Sequence, residues 1–129
     1  MIVLDTHAWI WWVSDPRKLS AKARRAIDYA KAVGLCPISC WELSTKVAHG
    51  KLTLDRELHL WVRQALGRPP LQVLDLSPDI AVAAGQLGRE GFHGDPVDRL
   101  IVATALHHGA ELVTKDEKIL AFPKVRGVW

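Results

Sequence analysis

Ile2-Val3-Leu4-Asp5 is the stretch on which the fold turns: three apolar residues in a row, stopped by a carboxylate. An unbroken apolar run this short fits a strand buried on both faces, as in a parallel sheet covered by helices. Working outward, Ala8 to Val13 is apolar and rich in tryptophan, which predicts a first helix ended by Asp15-Pro16. Ser20 is a predicted N-cap for a helix running through Ala32, with Ala23, Ala26, Ile27 and Ala30 on one stripe. Gly34 punctuates, and Leu35 to Ile38 predicts a second strand, with Pro37 at its end or on an edge.

Ser39-Cys40-Trp41-Glu42 has the form of a capping box opening a helix toward His49, with Gly50 just past its end. A helix from Arg56 to Leu66 follows, then a turn at Gly67 to Pro70 and a third strand at Leu71 to Leu76. Ser77-Pro78 starts an alanine-rich helix, serine as N-cap and proline at the first helical position. Asp95-Pro96 repeats that signal after a loop at Gly91 to Gly94. The helix it opens runs through Ile101, Ala105 and His108 and stops at Gly109. Glu111-Leu112-Val113 predicts a fourth strand, Thr114 a cap for a short helix, and Val125 lies in a predicted fifth strand. This alternation of strand and helix predicts an α/β fold with a mainly parallel sheet. No repeat, low-complexity stretch or second domain interrupts it, so one domain over 1–129 is expected.

Composition narrows the partners without choosing one. With 49% hydrophobic and 24% charged residues, the chain has the make-up of a soluble globular protein. A net charge of +3 permits a nucleic-acid partner but does not establish it. The cluster Arg17, Lys18, Lys22, Arg24 and Arg25 reads as the solvated face of a helix. Cys36 and Cys40 lack the companion ligands of a zinc site and make no disulfide framework, so buried free thiols in a reducing cytoplasm are expected. No basic segment followed by an apolar stretch opens the chain, and no apolar run approaches the roughly 20 residues that span a bilayer. A cytoplasmic, membrane-free protein is the expectation.

The acids fall in a pattern. Asp5 ends the first strand, Glu42 lies in the first turn of the helix after the second, Asp95 and Asp98 open the long helix, and Asp116 opens the helix after Val113. In an open parallel sheet such positions gather along one edge, the edge where ligands bind. Taken singly, most have a plainer explanation: Glu42 completes a capping box, Asp95 is an N-cap, and Asp98 and Asp116 suit the positive end of a helix. Asp5 fits that account least, because it follows three apolar residues and a buried carboxylate needs a partner. Several carboxylates converging without bases repel one another and drive their pKa values up. A hard divalent cation resolves the conflict: Mg2+, with Mn2+ as a substitute. The chemistry that follows is phosphodiester hydrolysis.

In order and spacing, Leu4-Asp5-Thr6-His7, Trp11-Trp12, Trp41-Glu42-Leu43, His93-Gly94-Asp95-Pro96-Val97-Asp98-Arg99, Ile101-Val102-Ala103-Thr104-Ala105 and Leu112-Val113-Thr114-Lys115-Asp116 resemble PIN-domain toxins of the VapC type. The likeness runs from Ile2 to Trp129. It implies a PIN-like three-layer fold, a short mainly parallel sheet flanked by helices. It also implies a magnesium-dependent endoribonuclease, the toxin of a toxin–antitoxin pair, restrained by a cognate VapB-like antitoxin. Carried over, Asp5 and Asp98 would be the principal metal ligands, Glu42 would complete the pocket, and Asp116 would be the fourth acid. Thr6 and Thr114 would hold metal-bound water or phosphate through their hydroxyls. Asp95 would line the pocket without binding metal.

Other residues have readings of their own. His7 is a poor magnesium ligand, since that ion favours oxygen. Arg99, beside Asp98, is expected in a structural ion pair. Trp9, Trp11, Trp12, Trp41 and Trp61 are expected in packing more than in base stacking, and their number points to a partner surface for an antitoxin helix or a second copy in a homodimer. Two rival functions compete. A phosphatase with Asp5 as nucleophile would usually carry a second aspartate two residues on, where this chain has His7. A non-catalytic module of the same fold would be expected to lose acids, and all four are present. A DNA-cleaving relative stays open, since the same site can attack either backbone.

Overall fold

β1 (Ile2–Leu4) runs through the middle of a five-stranded sheet in the computed structural model, which describes residues 1–129. Its neighbours are β2 (Val33–Leu35) and β4 (Glu111–Val113), with β3 (Leu71–Val73) and β5 (Gly127–Val128) at the edges, in the order β3-β2-β1-β4-β5. Every pairing is parallel. Leu4 stands opposite both Leu35 and Val113. The three central strands therefore end level, and the residues that leave them, Asp5, Cys36 and Thr114, start along one edge.

Both faces of the sheet are covered, which is why β1 reads as an unbroken apolar run. On one face Ile2, Leu4, Val33, Leu35 and Val113 pack against α1 (Thr6–Ser14), α2 (Ala21–Tyr29) and α4 (Leu58–Leu66) through Trp9, Trp12, Ile27 and Trp61. On the other, Val3 and Leu112 meet α5 (Pro78–Gln86), α6 (Pro96–His107) and α7 (Glu117–Ala121) through Ile80, Ile101 and Ile119, with Phe92 from the loop before α6. α3 (Ile38–Ala48) straddles the two: its Leu43 is in the first core and its Ile38 packs on the second. The parallel α/β sheet is the one the strand–helix alternation predicts, and its three layers are those the family resemblance implies.

Where a serine or aspartate before an apolar stripe predicts a side-chain cap, most hold. Ser20 accepts from the amide of Ala23 at 3.0 Å, Ser77 from Ile80 at 3.2 Å, and Asp95 from Asp98 at 2.8 Å. Gly50 and Gly109 follow their helices at positive φ (71° and 59°), which only glycine adopts freely.

The departures cluster where tertiary contacts override local signals. β2 covers Val33–Leu35 instead of Leu35 to Ile38, and Gly34 sits inside it: a Cβ there would lie 2.5 Å from Leu74 Cδ1, so glycine admits the close approach. α2 ends at Tyr29, short of Ala32, because Ala30 turns extended and the Ala32 carbonyl accepts from the Ile2 amide, joining the sheet. α1 begins at Thr6, earlier than Ala8. α3 begins at Ile38 after Pro37, and no capping box forms, because Ser39 is buried inside the helix with its hydroxyl taken by Thr6. Glu42 is therefore a turn inside α3 instead of in its first turn. α4 is capped by Glu57 and starts at Leu58 rather than Arg56. β3 stops at Val73. α7 is capped by Asp116, not Thr114, and Val125 is buried just before β5.

The tryptophans divide. Trp9 is fully buried and meets Trp61 edge-on, with ring centroids 5.5 Å apart. Its indole Nε1 has no hydrogen-bond partner. Trp9→Ala is expected to cost about 3–5 kcal/mol in urea unfolding. Trp9→Phe should cost much less, because the lost N–H makes no bond. Equal costs for the two variants would contradict this packing.

Candidate active site

Asp5 follows β1 directly and is 4% exposed. Its Oδ1 accepts from the Thr6 amide at 2.8 Å, capping α1, and its Oδ2 accepts from the Thr114 hydroxyl at 2.7 Å. The partner that a buried carboxylate requires thus lies at the end of β4. The same Thr114 hydroxyl also accepts, taking the Asp116 amide on Oγ1 at 3.0 Å. Asp116 in turn receives the amides of Lys118 (2.9 Å) and Ile119 (3.1 Å) on Oδ1, capping α7. One relay therefore fixes the ends of β1 and β4 and the start of α7.

From the other side of the pocket, Asp95 caps α6 and leaves Asp98 in the first turn, half-buried. The loop ahead of that helix is tight. A Cβ on Gly94 would lie 2.5 Å from the Phe92 ring and 3.0 Å from Asp98 Cβ. The Gly94 carbonyl accepts from Arg99 Nε at 2.8 Å. Arg99 consequently ties the loop to the helix and forms no ion pair with Asp98, contrary to the expectation from its place in the sequence. Gly94 itself is legible in the sequence only as a loop residue.

Electrostatics shows that these acids converge. Burial first, and then the charges of Asp95, Asp5, Asp116 and Glu42, push the Asp98 carboxyl up to about 7. Asp98 therefore sits within electrostatic reach of all four of the other acids singled out in the sequence. No three His, Cys, Asp or Glu side chains close into a ready-made cage. The donor set suits a hard ion that takes one or two carboxylates and keeps water on its remaining positions.

Thr6 differs in role from the sequence expectation: it is buried, and its hydroxyl donates to Ser39 Oγ at 2.8 Å, locking α1 to α3. Thr114 is likewise buried, engaged by Asp5 and Asp116. Both hydroxyls act on protein groups: that of Thr6 joins two helices, and that of Thr114 holds Asp5 and Asp116.

His7, a poor ligand for a hard ion, has another role by its geometry. Its Nε2 lies 2.8 Å from the Lys115 amide and accepts from it, so the ring proton sits on Nδ1, which faces Asp5 Oδ2 at 3.5 Å. The imidazole clamps the β4–α7 loop over α1. Burial lowers its pKa; Asp5 opposes that, Lys46 adds to it, and Asp116 and Glu42 oppose it. Lys46 is a cation beside the acids that sequence reasoning misses, although its spacing four residues after Glu42 is visible there.

The family model for the PIN domain matches residues 2–127. Ribonuclease VapC22 of Mycobacterium tuberculosis (strain ATCC 25618 / H37Rv) is 34% identical over 130 residues, covering 99% of this chain and 98% of that protein. Among solved structures, a toxin–antitoxin complex from Klebsiella pneumoniae aligns with a TM-score of 0.70 at 23% identity, over 97% of this chain and 95% of that one. VapBC2 from Rickettsia felis, bound to a DNA fragment from its promoter, aligns with a TM-score of 0.70 at 19% identity, over 98% and 97%. At those identities the solved structures speak for the fold.

The repulsion at Asp98 has a measurable cost in the metal-free protein. With its folded pKa raised above the unfolded value, the folded state holds a proton that the unfolded state has lost, so stability falls as pH rises from about 4 to about 7 and then levels. Asp98→Asn removes that charge. It is expected to stabilise the metal-free protein at pH about 8 by roughly 1 kcal/mol, after allowance for the solvent that reaches Asp98, or ~4 °C in Tm. The gain should vanish toward pH 4. Identical melting of the two proteins across that range would refute the convergence of acids on Asp98.

Proposed function

The chain belongs to the PIN-domain family, and on that footing we propose that it is a metal-dependent endoribonuclease, the toxin of a toxin–antitoxin pair, with Asp5, Glu42, Asp98 and Asp116 as its acidic pocket. The observation that carries this reading is the level end of β1 and β4, where Thr114 joins Asp5 to Asp116, and the charges of the acids acting on Asp98 support it. Whole-length likeness to a named ribonuclease supports the activity, and likeness to toxin–antitoxin complexes supports the pairing.

In this reading Asp5 and Asp98 hold the metal, Mg2+ or in its place Mn2+. Bound there, the ion supplies a water of lowered pKa and stabilises the charge on the leaving oxygen. The chain does the rest. Thr114 and the Thr6 amide hold the Asp5 carboxylate in one orientation, so no reorganisation is needed when substrate arrives. Glu42, half-buried on α3, completes the pocket and can take a proton from the attacking water. Asp116 keeps Oδ1 on the α7 amides, which leaves its other oxygen without a hydrogen bond to the protein and able to act on the pocket. Asp95, exposed and committed to its cap, lines the rim. Thr6 and Thr114 are positioning residues.

Two further parts of the reading concern partners. A VapB-like antitoxin would lay an apolar segment in the cavity of about 510 Å3 between α3 and α4, where Cys40, Trp41, Leu58, Val62 and Leu66 form the walls. A homodimer would cover Val82, which is 67% exposed on α5 beside the small residues Ala81, Ala84 and Gly85. No helix is long and apolar enough to cross a membrane. Both cysteines are free, which suits the cytoplasm where RNA is met.

Purified protein should cut a mixed RNA pool with magnesium or manganese and not with chelator, leaving duplex DNA intact. Asp5→Asn and Asp98→Asn should each lower the rate by at least about a hundredfold while remaining folded. Full cleavage by both purified variants would remove the assignment. Sedimentation should show a dimer that dissociates on dilution or at Val82→Asp; a monomer at every concentration would refute the second-copy surface.

A further inference from the structure

α3 carries charge on successive turns: Glu42 and, four residues on, Lys46 stand on the same side of the helix. Beside them opens a cavity of about 340 Å3, walled by Trp41, Glu42, Lys46 and Lys51 on one side and by Asp95 and Pro96 at the start of α6 on the other. Glu42 and Asp95 belong also to the acidic pocket, so the cavity adjoins the place of reaction. Its volume is in the range of pockets that enclose a small organic group.

Three features of the walls point to one kind of occupant. Lys46 and Lys51 take part in no ion pair, although acids stand close by. Trp41 is 58% exposed, and it alone of the tryptophans reaches this cavity. No aromatic ring stacks on it. A polyanion that enters a cluster of carboxylates meets repulsion, which cations placed just outside the cluster offset. An open indole face beside such cations takes a nucleobase, provided the base is unpaired and free to turn out of its strand.

We propose that this cavity binds the nucleotide adjoining the scissile phosphodiester of a single-stranded RNA, its base stacked on Trp41 and its phosphates on Lys46 and Lys51. The proposal rests on the ribonuclease reading above and adds to it a subsite that selects unpaired strands. Duplex RNA, whose bases stay stacked on one another, has no group to offer Trp41.

The test compares wild-type protein with Trp41→Ala, Trp41→Phe and Lys51→Ala. In magnesium, Trp41→Ala should raise KM for a single-stranded oligoribonucleotide about tenfold, the usual loss for one stacked base, with kcat within about twofold. Trp41→Phe should recover most of the loss. In an Asp98→Asn background, where RNA is bound and not cut, fluorescence anisotropy should show the same loss for Trp41→Ala. Lys51→Ala should reduce the slope of log affinity against log salt by about 0.7, the amount for one contact on a single strand.

Unchanged affinity and unchanged KM in Trp41→Ala would overturn the proposal, also where that variant loses its hold on a protein partner in the neighbouring α3–α4 cavity. Because Trp41 is exposed, the variants should melt with the wild type, which separates lost contact from lost fold. If wild-type protein cuts no RNA, the ribonuclease reading fails by itself; the anisotropy arm still decides the cavity, a tenfold loss upholding it and no loss ending it.

Discussion

A carboxylate that is 4% exposed at the end of the central strand governs the rest of the molecule. Burying Asp5 would be prohibitive without partners. The two it has, the Thr6 amide and the Thr114 hydroxyl, come from the helix that follows it and from a strand 109 residues on. The short bond to Thr114 is possible only if β1 and β4 run side by side and end level, as the pairing of Leu4 with Val113 ensures. Conversely, the relay from Thr114 to the Asp116 amide ties the start of α7 to the same point. The site and the fold meet in one chain of hydrogen bonds, so the carboxylate is oriented by the sheet itself rather than by a loop.

That arrangement concentrates like charge at one edge. Each cap is favourable alone, because a carboxylate at a helix N-terminus receives amide hydrogens and the positive end of the dipole. Asp5, Asp95 and Asp116 all draw on this. Asp98 has no such bond to its side chain and absorbs the accumulated repulsion, which appears as a carboxyl pushed up to about 7. The two apolar cores on either side of the sheet supply the stability that tolerates this edge. Capping does not use up these carboxylates: each has two oxygens, and the helix terminus engages one.

The legible part of the sequence was the part governed by local chemistry. The strands β1 and β4, Ser20, Ser77 and Asp95 as caps, and the ends at Gly50 and Gly109 all follow from short-range rules that the structure obeys. Ser39-Cys40-Trp41-Glu42 obeys the same rules on paper and departs from them in the fold. There a long-range bond from Thr6 takes the Ser39 hydroxyl, and burial holds Ser39 inside the helix. Gly34 looks like punctuation because its neighbour Leu74, which occupies the space of a missing side chain, lies forty residues away. Thr114 looks like a cap for the same reason: nothing nearby announces that its hydroxyl is owed to Asp5. Asp5, Asp95, Asp98 and Asp116 were readable as a set, since each sits where a strand ends or a helix begins, whereas Glu42 lies a turn inside α3. The hydroxyls and the imidazole that orient them were not, since their partners are set by topology.

α3 shows how one misplaced boundary alters a functional reading. With a capping box at Ser39, Glu42 is occupied by the backbone and lies at the helix tip. With the helix beginning at Ile38, Glu42 is a turn further in, its carboxylate is not taken by the helix N-terminus, and it lines the cavity beside α6. The same shift fixes what its neighbours face. Successive residues on a helix point about 100° apart, so Trp41 is turned away from Leu43 in the core and out to solvent, at the rim shared by the cavities on either side of α3. Lys46 returns to the Glu42 side one turn later. A single helix thus brings an acid, an open aromatic face and a free cation to adjoining positions. The residue that sets their common phase is Ser39, anchored by Thr6 beside the Asp5 carboxylate on which the acidic edge is built.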